Sequence, residues 1–103
     1  MDVLKTAIFD NWLKKLKDRR AKAIIQVHIN RLIEDKPGNI RALNSNLHEK
    51  KIRYGPGYRL YLYFRDQKCV ILLCGGDKST QQDDIKKAKK IVKEIIKDLK
   101  GKK

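Results

Sequence analysis

The sequence predicts an α+β fold in a single domain over residues 1–103, with an N-terminal helical hairpin and a C-terminal helix packed on one face of a small antiparallel sheet. Three observations predict it. Apolar residues recur at helical spacing up to Leu32, three short β-rich segments separated by turn residues follow, and helical spacing returns from Ile85 onward. A chain of 103 residues has room for one modest core, and neither an internal repeat nor an interdomain linker divides it.

Residues 2–6 carry a weak strand signal. Phe9, Trp12, Leu13 and Leu16 then recur at i, i+3, i+4 and i+7, which predicts an amphipathic helix with Thr6 as its N-cap. Asp18 caps a second helix whose stripe is Ala21, Ile24, Ile25, His28, Ile29 and Leu32, stopped by Pro37-Gly38-Asn39. Segments 49–54, 58–65 and 68–74 read as an antiparallel meander. Gly55-Pro56-Gly57-Tyr58 suits a type II turn, and Asp66-Gln67-Lys68 makes the second bend. Gly75-Gly76 reads as a strand-to-helix turn. Ser79 or Thr80, with Gln82, Asp83 and Asp84 behind it, forms a capping pattern. Ile85, Ala88, Ile91, Val92, Ile95, Ile96 and Leu99 are the stripe of the third helix, and Gly101-Lys102-Lys103 reads as a frayed tail.

Lys+Arg number 26 against 12 Asp+Glu, a formal net charge of +14. Such a balance on a small domain points to a polyanionic partner: nucleic acid, ribosome or an acidic protein. Lys86, Lys87, Lys89, Lys90, Lys93, Lys97 and Lys100 fall on the polar side of the third helix and read as its solvated face. The longest apolar run, Cys69 to Cys74, is far short of the roughly 20 residues that span a bilayer. The N-terminus lacks the features of a secretory signal, so a cytoplasmic location and no membrane partner are expected. Cys69 and Cys74 read as small buried hydrophobes on opposite strand faces. Neither a structural zinc site nor any cofactor is expected.

If all three helices cover one face of the meander, its other face is open. With Leu60, Leu62 and Phe64 inward, Arg59, Tyr61, Tyr63 and Arg65 point outward; with Ile52 inward, so do Glu49, Lys51 and Arg53. Lys78 and Ser79 stand just beyond the last strand. Tyr61, Arg65 and Ser79 are the RNA-binding candidates on this surface, tyrosines being suited to stacking on bases and also to packing against strand neighbours. His28 lies on a helical stripe and reads as a packing residue, while parity puts His48 away from the proposed face.

Tyr54-Gly55-Pro56-Gly57-Tyr58-Arg59, then Leu73-Cys74-Gly75-Gly76-Asp77-Lys78-Ser79-Thr80-Gln81 and Asp84-Ile85, resemble the HigB-like addiction-module killer proteins, a branch of the RelE/ParE toxin superfamily. Phe9, Trp12-Leu13 and Leu16-Lys17-Asp18 extend the likeness to nearly the whole chain. The resemblance implies a RelE-like fold and a type II toxin: a metal-independent endoribonuclease that cuts mRNA, commonly on the ribosome. It also implies a cognate antitoxin of helix-turn-helix type, encoded next to this gene. Arg59 matches the Arg of the family's Gly-Tyr-Arg motif, Lys51 and Arg53 match its two basic strand residues, and Lys78 the basic residue after the last strand. Three departures stand out. Lys51 stands where close relatives carry an Arg, Lys50 occupies a normally apolar position, and Ile85 stands where several such nucleases carry a Tyr.

Cleavage through the ribose 2′-OH needs a base for that hydroxyl, charge stabilisation at phosphorus and an acid for the leaving 5′-oxygen. Arg53 and Arg59 suit the phosphate oxygens. Lys51, on the condition that neighbouring Arg53 and Arg59 lower its pKa, and Glu49 are the two candidates for the base. Two other readings share these residues: a ParE-like gyrase inhibitor, and an RNA- or ribosome-binding module without catalysis.

Overall fold

Two hydroxyl and carboxylate caps fix where the N-terminal helices begin. The Thr6 hydroxyl accepts the Phe9 N–H (3.0 Å) at the start of α1 (Ala7–Lys15) and donates to the Leu73 carbonyl (2.6 Å), tying that helix to the sheet. Asp18 Oδ1 accepts the Arg20 and Ala21 N–H groups (2.9 and 3.1 Å) and opens α2 (Arg19–Ile33), while its Oδ2 accepts the Tyr54 hydroxyl (3.0 Å). Asp35, at φ +61°, ends the hairpin ahead of the Pro37-Gly38-Asn39 breaker. The computed structural model describes residues 1–101 in backbone and 1–99 in side chain.

The sheet is larger than the predicted meander. Its strands are β1 (Asp2–Lys5), β2 (Ile40–Ala42), β3 (His48–Ile52), β4 (Tyr58–Phe64) and β5 (Cys69–Gly76), in the spatial order β1-β5-β4-β3-β2. β1 runs parallel to β5 and the other pairs are antiparallel, so the sheet is mixed. The additions are edge strands of four and three residues, too short for alternation to mark them reliably. Between β3 and β4 the Gly57 N–H donates to the Tyr54 carbonyl (3.1 Å), so the turn spans Tyr54–Gly57, one residue earlier than expected. Gly55 (φ +56°) and Gly57 (φ +80°) flank Pro56 in backbone conformations that other residues rarely adopt.

The expected one-sided packing is corrected. Phe9, Ile25, Ile29 and Leu32 of the hairpin pack with Ile52, Leu60, Leu62, Val70 and Leu72 on one face. Ala88, Ile91 and Val92 of α3 (Gln81–Gly101) pack with Leu47, Tyr61, Ile71 and Leu73 on the other. The cause is β5, whose unbroken run Val70-Ile71-Leu72-Leu73 is apolar in both directions and requires cover on both faces.

β5 also carries a bulge. Tyr61 pairs with Cys74 but Leu62 pairs with Leu72, leaving Leu73 as the extra residue. The bulge resets the alternation, so Cys74 joins Ile71 and Leu73 under α3 instead of facing away from Cys69. Both thiols are free; burial, with Asp84 nearby, pushes Cys74 up to about 12. Gly75 and Gly76 lie within the strand, not in a turn. A Cβ on Gly75 would come 2.4 Å from the Trp12 ring, and one on Gly76 would come 1.8 Å from Asp84 Oδ2. Each glycine seats one layer.

The cap before α3 is Asp77, not Ser79 or Thr80. Its carboxylate accepts the Ser79 N–H (2.8 Å), and the Thr80 hydroxyl faces back to the Asp77 N–H across a short 3₁₀ turn, Lys78–Thr80. Lys86, Lys87, Lys89, Lys90, Lys93 and Lys97 are exposed, as expected of the solvated face. Of the predicted tail, Gly101 closes α3, and Lys102-Lys103 lie outside the described residues. No described helix is long and apolar enough to cross a membrane.

Candidate nucleic-acid site

The site grows from the β3–β4 pairing. Register sets Lys51 opposite Arg59 and Glu49 opposite Tyr61, on the face that α3 partly covers. The predicted parity is therefore what the chain adopts, but the face is roofed at one end. Glu49 is 2% exposed, Arg59 6% and Tyr61 0%, whereas Lys51, Arg53, Lys78, Ser79 and Arg65 are exposed.

Glu49 organises the buried part. Its Oε2 accepts Gln81 Nε2 (2.9 Å) and lies 3.8 Å from Arg59 Nε, and its Oε1 lies 3.3 Å from Arg41 Nη2. Arg59 Nη1 donates to the Gly57 carbonyl (3.0 Å), while Nε is buried without a hydrogen-bond partner. The guanidinium is thus held in place by one carbonyl and one carboxylate, with donor capacity unspent. Gly57 brings in the next cation: a Cβ there would lie 3.7 Å from Arg59 Nη1 and 3.8 Å from Lys78 Cβ. Behind this set, the Thr80 hydroxyl donates to Asp84 Oδ2 (2.6 Å), which fixes the first turn of α3 against Gly76.

An open cleft of about 400 Å³ leads to the site, lined by Gly38, Asn39, Ile40, Arg41, Glu49, Lys51 and Arg53. Four of the sequence candidates, Glu49, Lys51, Arg53 and Arg59, are therefore brought together, with Lys78 at the Gly57 turn beside them. Two RNA-binding candidates are not. Tyr61 lies wholly beneath α3, offering no ring face to a base, and burial then Glu49 and Asp84 raise its hydroxyl far above the usual tyrosine value. Arg65 follows β4 at its far end, six residues from Arg59, or roughly 20 Å in an extended strand. Ser79 is exposed, but its hydroxyl donates to Asp77 and serves the cap.

Sequence reasoning missed Arg41, Gln81 and Asp84. Arg41 follows the Pro37-Gly38-Asn39 turn on a three-residue strand, without periodicity to mark it. Gln81 joins the site only because α3 crosses the sheet. Asp84 matched the acidic first turn of a helix, which it also occupies. Among the described residues no group of three His, Cys, Asp or Glu side chains is placed to hold a metal ion.

The chain is 50% identical over 90 residues to an uncharacterized protein of Haemophilus influenzae, an alignment covering 87% of this chain and 91% of that protein. The chain belongs to the same family as that protein. No protein-family model matches it.

Proposed function

We propose that this protein is a HigB-like toxin with a RelE-like fold, an endoribonuclease that cuts mRNA, acts at the ribosome and is restrained by a cognate antitoxin. The observation that carries the reading is the pairing of Arg59, nearly buried and held by Glu49 and Gly57, with exposed Lys51 directly across the strand pair. The order of elements, two helices, a sheet and a C-terminal helix, supports it together with the sequence motifs.

In this reading a phosphodiester enters over Lys51 and Arg53, and its non-bridging oxygens meet the guanidinium groups of Arg53 and Arg59. Lys51 removes the 2′-OH proton, and the 2′-oxygen attacks phosphorus. The bond to the 5′-oxygen breaks, and that oxygen takes a proton from water, leaving a 2′,3′-cyclic phosphate and a 5′-hydroxyl. Glu49 is a positioning residue: both of its oxygens are engaged by cations and an amide, so it orients Arg59 and is not the base.

The test is end-mapping of RNA incubated with purified protein, alone and in a translation extract. New ends with cyclic phosphates are expected. Lys51→Gln, which removes the base at an exposed strand position, should keep the fold and lose cleavage. Intact RNA with blocked DNA supercoiling would replace this reading with the gyrase inhibitor, and neither activity would leave the binding module.

A further inference from the structure

A second recess lies on the other side of the Gly38-Asn39 turn, between α2 and β3. It measures about 460 Å³, and its lining includes His28, Arg31, Lys50, Lys51 and Arg53 but no carboxylate. Lys50 is the deepest of the four lysines and arginines, 3% exposed. Its ammonium donates to the Pro37 carbonyl, and no ion pair to it is present among the described residues. An ammonium has three N–H donors, so one carbonyl leaves its charge and most of its donor capacity unanswered. His28 Nδ1 is buried without a partner. A concavity whose charged lining is cationic throughout, with a buried ammonium short of partners and no counter-charge, is a site that an incoming anion completes.

The recess also continues the first cleft. Gly38, Asn39, Lys51 and Arg53 line both, so a strand crossing Lys51 and Arg53 is led around the turn toward Lys50. We infer that the α2–β3 recess is a phosphate site, with Lys50, His28 and Arg31 as its ligands, that holds a flanking phosphate of the same RNA strand that occupies the candidate catalytic cleft. The phosphate chemistry stands on the recess itself; the strand assignment rests on the proposed function. Ile24 and Tyr54 on the remaining wall give an adjoining sugar or base an apolar surface.

The experiment follows the His28 ring and the Lys51 and Arg53 amides by NMR, titrating the whole protein with a short 2′-O-methyl oligoribonucleotide, which binds without being cut, and separately with inorganic phosphate. The expected result is that the oligonucleotide moves both sets of signals and that phosphate moves His28. Arg31→Gln should weaken oligonucleotide binding several-fold and reduce the salt slope by about 0.7, the value for one single-strand phosphate contact. Arg31 is exposed, so its variant tests the site without emptying the core, and Lys50→Met tests the buried ligand in the same way. Shifts at Lys51 and Arg53 with His28 unmoved would overturn the inference and leave the proposed function standing. Shifts at His28 with phosphate alone would overturn the strand assignment and the proposed function together.

Discussion

Arg59 shows how a residue named from a motif changes meaning once its surroundings are known. The motif and strand parity place it on the functional face, and on an open face its removal would leave the fold untouched. It is in fact nearly buried between Glu49 and the Gly57 carbonyl. Arg59→Ala is therefore expected to lower the melting temperature as well as activity, since it strands a buried carboxylate with fewer partners. The cleaner tests are Lys51→Ala and Arg53→Ala on exposed side chains, each expected to cost roughly 10²-fold in cleavage rate with an unchanged melting temperature. Lys50 is the converse case. Burial, then Arg31, lowers its pKa, so the ammonium destabilises the folded state wherever both states are protonated. Lys50→Met should stabilise the protein by about 1 kcal/mol or more, measured by denaturant unfolding. A loss of stability would show that the Pro37 contact outweighs the desolvation.

At the scale of elements, the contact between β5 and α3 decides whether the site exists. Gly76 lets the Asp84 carboxylate lie against the strand, and Thr80 and Asp77 hold the helix start that presents Gln81 to Glu49. Gly76→Ala puts a methyl group where Asp84 Oδ2 already is, and both contacting groups are anchored. It should destabilise the protein by about 1–3 kcal/mol and weaken cleavage by shifting Gln81 away from Glu49. Unfolding and rate measurements on the same preparation check both effects. The helices, the three meander strands and the caps at Thr6 and Asp18 were legible because each is encoded within a few neighbouring residues. The parallel pairing of β1, the bulge at Leu73 and the short strand β2 were not, because each depends on a partner distant in sequence or on too few residues to show a period.

The whole molecule carries +14 formal charges, and its two clefts share a cationic rim. If Arg31, Lys50, Lys51, Arg53 and Arg59 all meet phosphates, log affinity for single-stranded RNA should fall with log salt at a slope near −3.5, about −0.7 per contact. A nearly flat dependence in a salt titration would count against a phosphate-lined surface. Stability should also respond to pH through His28, whose pKa burial first, then Lys50 and Arg31, hold below the ordinary 6.5. The folded state resists protonation there and the unfolded state does not. Stability from this group is thus fully present above about pH 6.5 and declines as pH falls through the lower folded value. His28→Gln should flatten that decline in urea unfolding followed from pH 7.5 to 5, values bracketing the ordinary histidine range of about 6.5.

The sequence by itself determined the α+β class, the three helices, the meander and the common face of Glu49, Lys51, Arg53 and Arg59. Helical spacing, strand alternation and turn chemistry are properties of near neighbours along the chain. Only the tertiary structure decided that α3 lies on the face opposite the hairpin, and from that single placement the rest of the site follows. It buries Tyr61, brings Gln81 onto Glu49, fixes Arg59 and leaves the opening to Lys51 and Arg53. A strand that is apolar on both sides, as β5 is, requires two covers but does not say which helix supplies which. That choice is set by the bulge at Leu73 and the glycine seats for Trp12 and Asp84, contacts between residues far apart in sequence and adjacent only in the folded chain.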